Sequence, residues 1–187
     1  MSQLRQKRHF EVEFFEFVYS PLNLIPKRPV YCFLLDGILI DTAQSNMVRF
    51  FRKCFQEKQI DQVLITHFHE DHSGNIPVVQ EWGKPVYAHP IGVELLKKPE
   101  KLPIVERWVW GESAAVSVNP ITGSVESDKF KLEFIHTPGH SPDHLCFIEK
   151  NRGWPGVWIN SSLNLSDSTL PVIGLTLTAA LSPQTQR

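Results

Sequence analysis

The stretch Thr66-His67-Phe68-His69-Glu70-Asp71-His72-Ser73-Gly74 limits what this chain can fold into more than any other. Three of the chain's eight histidines and two carboxylates fall between His67 and His72. They follow directly on the apolar run Gln62-Val63-Leu64-Ile65, which reads as a buried strand. Five ionisable groups at the end of a buried strand are costly unless they are paired or coordinated. A divalent cation removes that cost by compensating the carboxylates and occupying the imidazole lone pairs. His67 and His69 are two residues apart, so an extended or turning backbone puts both on one side, facing one ion. His140, in a second histidine-rich loop, offers a third neutral nitrogen. That makes a three-histidine set with an open fourth position, the arrangement of a catalytic rather than a structural zinc. Asp71 and His72 begin a second site. Two adjacent cations there would hold a bridging hydroxide and polarise an ester or phosphoester oxygen.

The flanking sequence places this stretch in a layered α/β fold. Phe10–Val18 alternates, with Phe10, Val12 and Phe14 on one face and Glu11 and Glu13 on the other, and reads as a strand half exposed to water. After the proline loop at Pro21, Pro26 and Pro29, Val30–Leu35 and Ile38–Ile40 flank Asp36-Gly37, a hairpin signal. Gln44–Lys58 has helical spacing, with Met47, Phe50, Phe51, Cys54 and Phe55 recurring at three and four residues. Gly74 and Asn75 open a short helix ending at Gly83. Pro85–His89 reads as a strand and Ile91–Lys98 as a helix stopped by Pro99. Strand and helix in alternation imply a layered α/β half. Trp108 and Trp110 read as core residues of a strand or as part of a flap. Lys129–Ile135 alternates and runs into His136-Thr137-Pro138-Gly139-His140-Ser141-Pro142-Asp143-His144, followed by the apolar strand Leu145–Ile148.

Composition excludes several classes. The 187 residues fit one domain. A formal net charge of −1, from 19 basic and 20 acidic residues, gives no reason to expect nucleic acid as a partner. The basic run Arg5–His9 reads as a solvated leader. Cys32, Cys54 and Cys146 are odd in number and form no Cys-x-x-Cys pair, so neither a disulfide framework nor a thiolate metal cluster is indicated. That fits a reducing, cytoplasmic setting. Met1 is followed by polar and basic residues rather than a signal-peptide core. No run of about 18 apolar residues exists, so no membrane helix is expected.

Three motifs in order resemble the metallo-β-lactamase superfamily. Leu34–Thr42 looks like its first motif. His67, His69, Asp71 and His72 form its His-x-His-x-Asp-His motif, and Thr137-Pro138-Gly139-His140-Ser141 looks like its third. The resemblance runs from about Phe10 to Trp154. It implies an αββα sandwich, in the mixed α/β class, with the metal site at one edge of two sheets. It implies that His67, His69 and His140 hold a first metal and that Asp71 and His72 hold a second, with Asp71 also orienting the attacking water. Asp41 would support the ligands without touching the metal. His144 would lie near the substrate side, with placement in the core or behind the ligands as a supporting group equally open, and His136 and His89 read as structural.

The pattern departs after Trp154. The Gly-Asp and the later histidine expected of the family do not follow, and no histidine comes after His144. Asp167 is the candidate stand-in for the missing bridging ligand. Residues 155–187 are expected to be an atypical tail replacing the C-terminal part of the domain, through a frameshift, altered splicing or gene decay. The fold would then be incomplete, with apolar surface uncovered and a weakened second site. Three functions follow. The first is a metal-dependent hydrolase of an ester, thioester, lactone or related bond, using one or two zinc ions and a small-molecule substrate. The second is a non-catalytic metal-binding remnant of such an enzyme. The third is an iron-dependent oxygenase-type member, since the ligand set also suits iron or manganese.

Overall fold

The computed structural model describes residues 3–9, 11–19, 29–150 and 157–159. The expectations for Asp167 and most of the 155–187 tail lie outside those residues.

A seven-stranded sheet is built from β1 (Gln3–His9), β2 (Val12–Val18), β3 (Pro29–Leu35), β4 (Ile38–Ile40), β5 (Gln62–Leu64), β6 (Val86–Ala88) and β7 (Asn119–Pro120), in that spatial order. The strands from β1 to β4 pair antiparallel, and those from β4 to β7 pair parallel. The β3–β4 turn has positive φ at both Asp36 (45°) and Gly37 (84°), the backbone a two-residue hairpin of the primed kind requires. Helices α1 (Val48–Phe55), α2 (Glu70–Ser73), α3 (Ile76–Glu81), α4 (Pro90–Lys97) and α5 (Ile104–Trp110) come between the later strands. A second, antiparallel sheet has the order β11-β10-β9-β8, with β8 (Val125–Glu126), β9 (Lys131–His136), β10 (Leu145–Glu149) and β11 (Val157–Ile159).

Two apolar clusters hold these layers together. In the first, Phe51 and Phe55 of α1, Ile76, Val78 and Val79 of α3, and Val93 and Leu96 of α4 pack on Phe15, Phe17, Cys32, Leu39 and Val63 of the large sheet. Phe51 is fully buried and stacks on Trp82 with centroids 6.0 Å apart. The second cluster fills the space between the sheets, with Tyr31, Phe33, Leu35, Ile40 and Leu64 on one side and Phe130, Leu132, Leu145 and Phe147 on the other. No helix among the described residues contributes to it. The described layers are therefore helix, sheet and sheet, the order expected for the sandwich.

Three local expectations need correction. β2 is buried on both faces rather than half exposed, because Val12 joins the second cluster while Phe15 and Phe17 join the first. Its glutamates are accommodated by pairing: Glu13 accepts from Lys58 at 2.8 Å and Glu16 lies 3.7 Å from Arg5. The basic N-terminal run is strand β1, paired residue for residue with β2, with its Arg5, Lys7 and Arg8 side chains exposed. Trp108 and Trp110 sit on a helix, where Trp110 packs on the first cluster but Trp108 is 60% exposed. No helix among the described residues is long and apolar enough to cross a membrane.

Candidate metal centre

The site forms where parallel strands β4 and β5 end side by side, the usual place for a crevice in an open α/β sheet. Past β4 the chain turns through Asp41 and Ala43, with φ of 61° and 53°. The turn is fixed by its neighbours. The Asp41 amide donates to Leu64 O at 2.9 Å and the Thr42 amide to His72 O at 2.7 Å. Asn75 Nδ2 donates to the carbonyls of Thr42, Ala43 and Gln44 at 2.6, 3.2 and 3.0 Å. From the second sheet, the Leu145 amide donates to Thr66 O at 2.8 Å. That bond ties the strand leaving the third-motif loop to the strand carrying the histidines.

His67, His69 and His140 converge. Their ring centroids stand 4.7, 4.9 and 4.8 Å apart pairwise. His69 Nδ1 and His140 Nε2 face each other at 3.1 Å, close to the ~3.3 Å edge of a tetrahedron of imidazole nitrogens around zinc. His67 Nδ1 is engaged with Thr66 Oγ1 at 3.1 Å, whereas its Nε2 is buried and has no hydrogen-bond partner. A buried imidazole nitrogen without a partner is costly, and a cation shared with His69 and His140 would satisfy it. Burial, reinforced by the neighbouring imidazoles, pushes His67 well below the ordinary histidine range, and burial also lowers His69. Both are therefore neutral near pH 7, the form that coordinates metals. The donor set fits a divalent cation.

Asp71 and His72 form a second group around His67, with ligand atoms of the three within 4.8 Å of one another. His72 Nε2 lies 3.3 Å from Asp71 Oδ2. Its Nδ1 lies 2.9 Å from Asp41 Oδ2. Burial alone would lower His72, but the Asp71 and Asp41 carboxylates outweigh it and lift the imidazole to about 10. Burial alone would raise Asp71, and the His72 charge outweighs that and leaves it below the ordinary carboxylate range. Asp41 is fully buried. It accepts from the Thr66 amide at 2.8 Å, from Thr66 Oγ1 and from His72.

His144 is buried, 5.2 Å from the His67 ring, with Nδ1 2.9 Å from Thr137 Oγ1. His89 accepts from the Ile91 amide at the start of α4 and stacks on His136 at 4.1 Å, so both stand outside the triangle. Thr42, Thr66 and Asn75 also shape the site and were not singled out from sequence. Only their position beside the motifs could have marked them.

The family model of the metallo-beta-lactamase superfamily matches residues 25–154. The lactamase-like protein aptB of Emericella nidulans is 30% identical over 125 residues, 64% of this chain and 35% of that protein. An atrochrysone carboxyl ACP thioesterase of Pseudocercospora fijiensis is 26% identical over 117 residues, 60% of this chain and 30% of that protein. The matched stretch thus spans about a third of these relatives. A metallo-beta-lactamase of Cronobacter sakazakii has a similar fold, with a TM-score of 0.58 at 19% identity over 78% of this chain and 60% of that one. With three histidines gathered at the strand ends of this fold and the family model covering most of the chain, the protein belongs to the metallo-beta-lactamase superfamily.

Proposed function

We propose that this chain is a zinc-dependent hydrolase that adds water to an acyl carbon, with thioesters, esters and lactones as its substrate class. His67 Nε2, His69 Nδ1 and His140 Nε2 would hold a first cation, and Asp71 with His72 a second. The observation that carries this reading is the buried, unpartnered His67 Nε2 in a triangle of imidazoles. A cation bound there supplies Lewis acidity, activating water and drawing charge from the acyl oxygen.

The chain's own residues supply positioning and proton transfer. Asp71 is partly exposed, with 24% of its side chain accessible; the His72 charge keeps it ionised in the metal-free protein, and a cation at the pair would take over that role as His72 gives up its proton. Asp71 orients a water in the cleft and takes its proton as the water oxygen bonds to the acyl carbon. The carbon–sulfur or carbon–oxygen bond then breaks, and the proton returns to the leaving thiolate or alkoxide. Asp41 holds His72 by its Nδ1, so that Nε2 faces Asp71 and the cleft. Removing such a supporting contact typically costs 10–100-fold in activity or affinity. The thioesterase named among the relatives supports placing thioesters first in the class.

The test is turnover of a thioester, an aryl ester, a lactone and a phosphodiester by zinc-loaded protein, beside a His67→Ala/His69→Ala double variant. Thioester or ester turnover lost in the double variant supports the reading. Equal rates in both proteins overturn it.

A further inference from the structure

His140 comes from a loop that is mostly exposed, whereas His67 is buried on a strand end. Something must hold that loop where its histidine completes the triangle. The loop's one deeply buried carboxylate is Asp143, 1% exposed. Its Oδ1 accepts from Ser141 Oγ at 2.8 Å, inside the loop. Its Oδ2 is buried and has no hydrogen-bond partner. It lies against Gly92 in the first turn of α4, so close that a Cβ on Gly92 would stand 2.5 Å from Oδ2 and 3.3 Å from Cγ. The positive end of the helix dipole favours a carboxylate there. Beside this contact His136, at the head of the loop, stacks on His89, at the head of α4, with an interplanar angle of 17°. His136 Nε2 donates to Pro142 O at 2.8 Å, which carries the stack back to the residue before Asp143.

We propose that Asp143 seated on Gly92 is the clamp that positions His140, making Asp143 and Gly92 positioning residues for the first metal site. A side chain at Gly92 would meet Asp143 Oδ2 at 2.5 Å, so the carboxylate keeps this seat only against a residue without one. The Ser141 and His136 bonds stiffen the loop between the clamp and His140. The inference rests on the assignment of His67, His69 and His140 as ligands.

Co2+ is the probe, read both by competition affinity and by its visible ligand-field spectrum, with circular dichroism and thermal melting of each metal-free variant alongside. Failure of the wild-type protein to bind Co2+ would overturn the ligand assignment itself. Given wild-type binding, Gly92→Ala is expected to weaken Co2+ about 10–100-fold and alter its spectrum. Shortening the carboxylate in the same chain, Gly92→Ala/Asp143→Ser, should bind no more weakly than Asp143→Ser alone, because the methyl then meets nothing. In a His140→Ala background Gly92→Ala should change Co2+ affinity no further. Ser141→Ala, which introduces no steric conflict, should weaken binding in the same direction and covers the case in which Gly92→Ala does not fold. Wild-type affinity and spectrum in both Gly92→Ala and Ser141→Ala would overturn the clamp. So would strictly additive losses in the Gly92→Ala/Asp143→Ser protein, or a further loss in the His140→Ala background.

Discussion

Asp41 Oδ2 lies 2.9 Å from His72 Nδ1, and both side chains are shut away from solvent. The carboxylate also accepts from the Thr66 amide and hydroxyl, so one residue fixes the histidine and the strand end together. Asp41→Asn keeps the shape but loses the charge and offers a donor where Thr66 already donates. It should destabilise the protein by about 1–3 kcal/mol in urea unfolding. It should also weaken metal binding at the Asp71–His72 pair about 10–100-fold by competition titration.

Gly74 closes the histidine stretch against the turn past β4. A Cβ there would stand 2.6 Å from Glu70 O and 2.8 Å from Ala43 O, and would meet the Ser45 amide as well. These are backbone atoms that cannot swing away. Gly74→Ala should therefore cost about 1–3 kcal/mol and lower metal affinity by displacing the helix that carries Asp71 and His72. Thermal melting and a zinc titration of the variant check both effects.

How much of this could be read in advance depends on whether a feature is local. His67, His69, Asp71 and His72 announce themselves because they are nearly contiguous on one strand end. His140 is legible because its loop has the same layout. The β3–β4 hairpin was legible from Asp36-Gly37, whose positive φ values only a few residue types adopt. The double burial of β2 was not, because Glu13 and Glu16 look solvent-facing until Lys58 and Arg5 are brought beside them from other elements. Nor was the seat of Asp143 on Gly92, a contact between residues remote in the chain. α5 escaped because its apolar positions Ile104, Val105 and Trp108 are exposed, at 79, 70 and 60%. An apolar helical stripe is ordinarily read as core.

The contrast between α1 and α5 gives a stability test. Phe51 is fully buried between Phe17, Phe55 and Trp82. Phe51→Ala should cost about 3–5 kcal/mol. Trp108→Ala removes a larger side chain from an exposed surface and should stay within about 0.5 kcal/mol of the parent. Chemical denaturation of the two variants side by side decides between these environments.

Metal-free protein should have a stability that turns over near the unfolded histidine value of about 6.5. His67, His69 and His144 titrate lower in the folded state than unfolded, chiefly through burial. The unfolded chain therefore binds more protons just below 6.5, and stability falls on acidification. His72 titrates higher when folded, up to about 10. Its contribution is complete below 6.5 and fades as pH rises through about 10. Urea midpoints of the metal-free protein at several pH values, with His72→Gln as the comparison, should show the alkaline loss in the parent and a reduced one in the variant.

The most direct test of the account is a zinc titration of the metal-free chain, wild type beside His67→Ala and His140→Ala, by competition with a chromogenic chelator. At least one tightly bound zinc per wild-type chain is expected, and its loss in each variant, with melting of both metal-free variants near that of the metal-free parent. Wild-type protein that takes up no zinc, or variants that bind it as tightly as the parent, would contradict it.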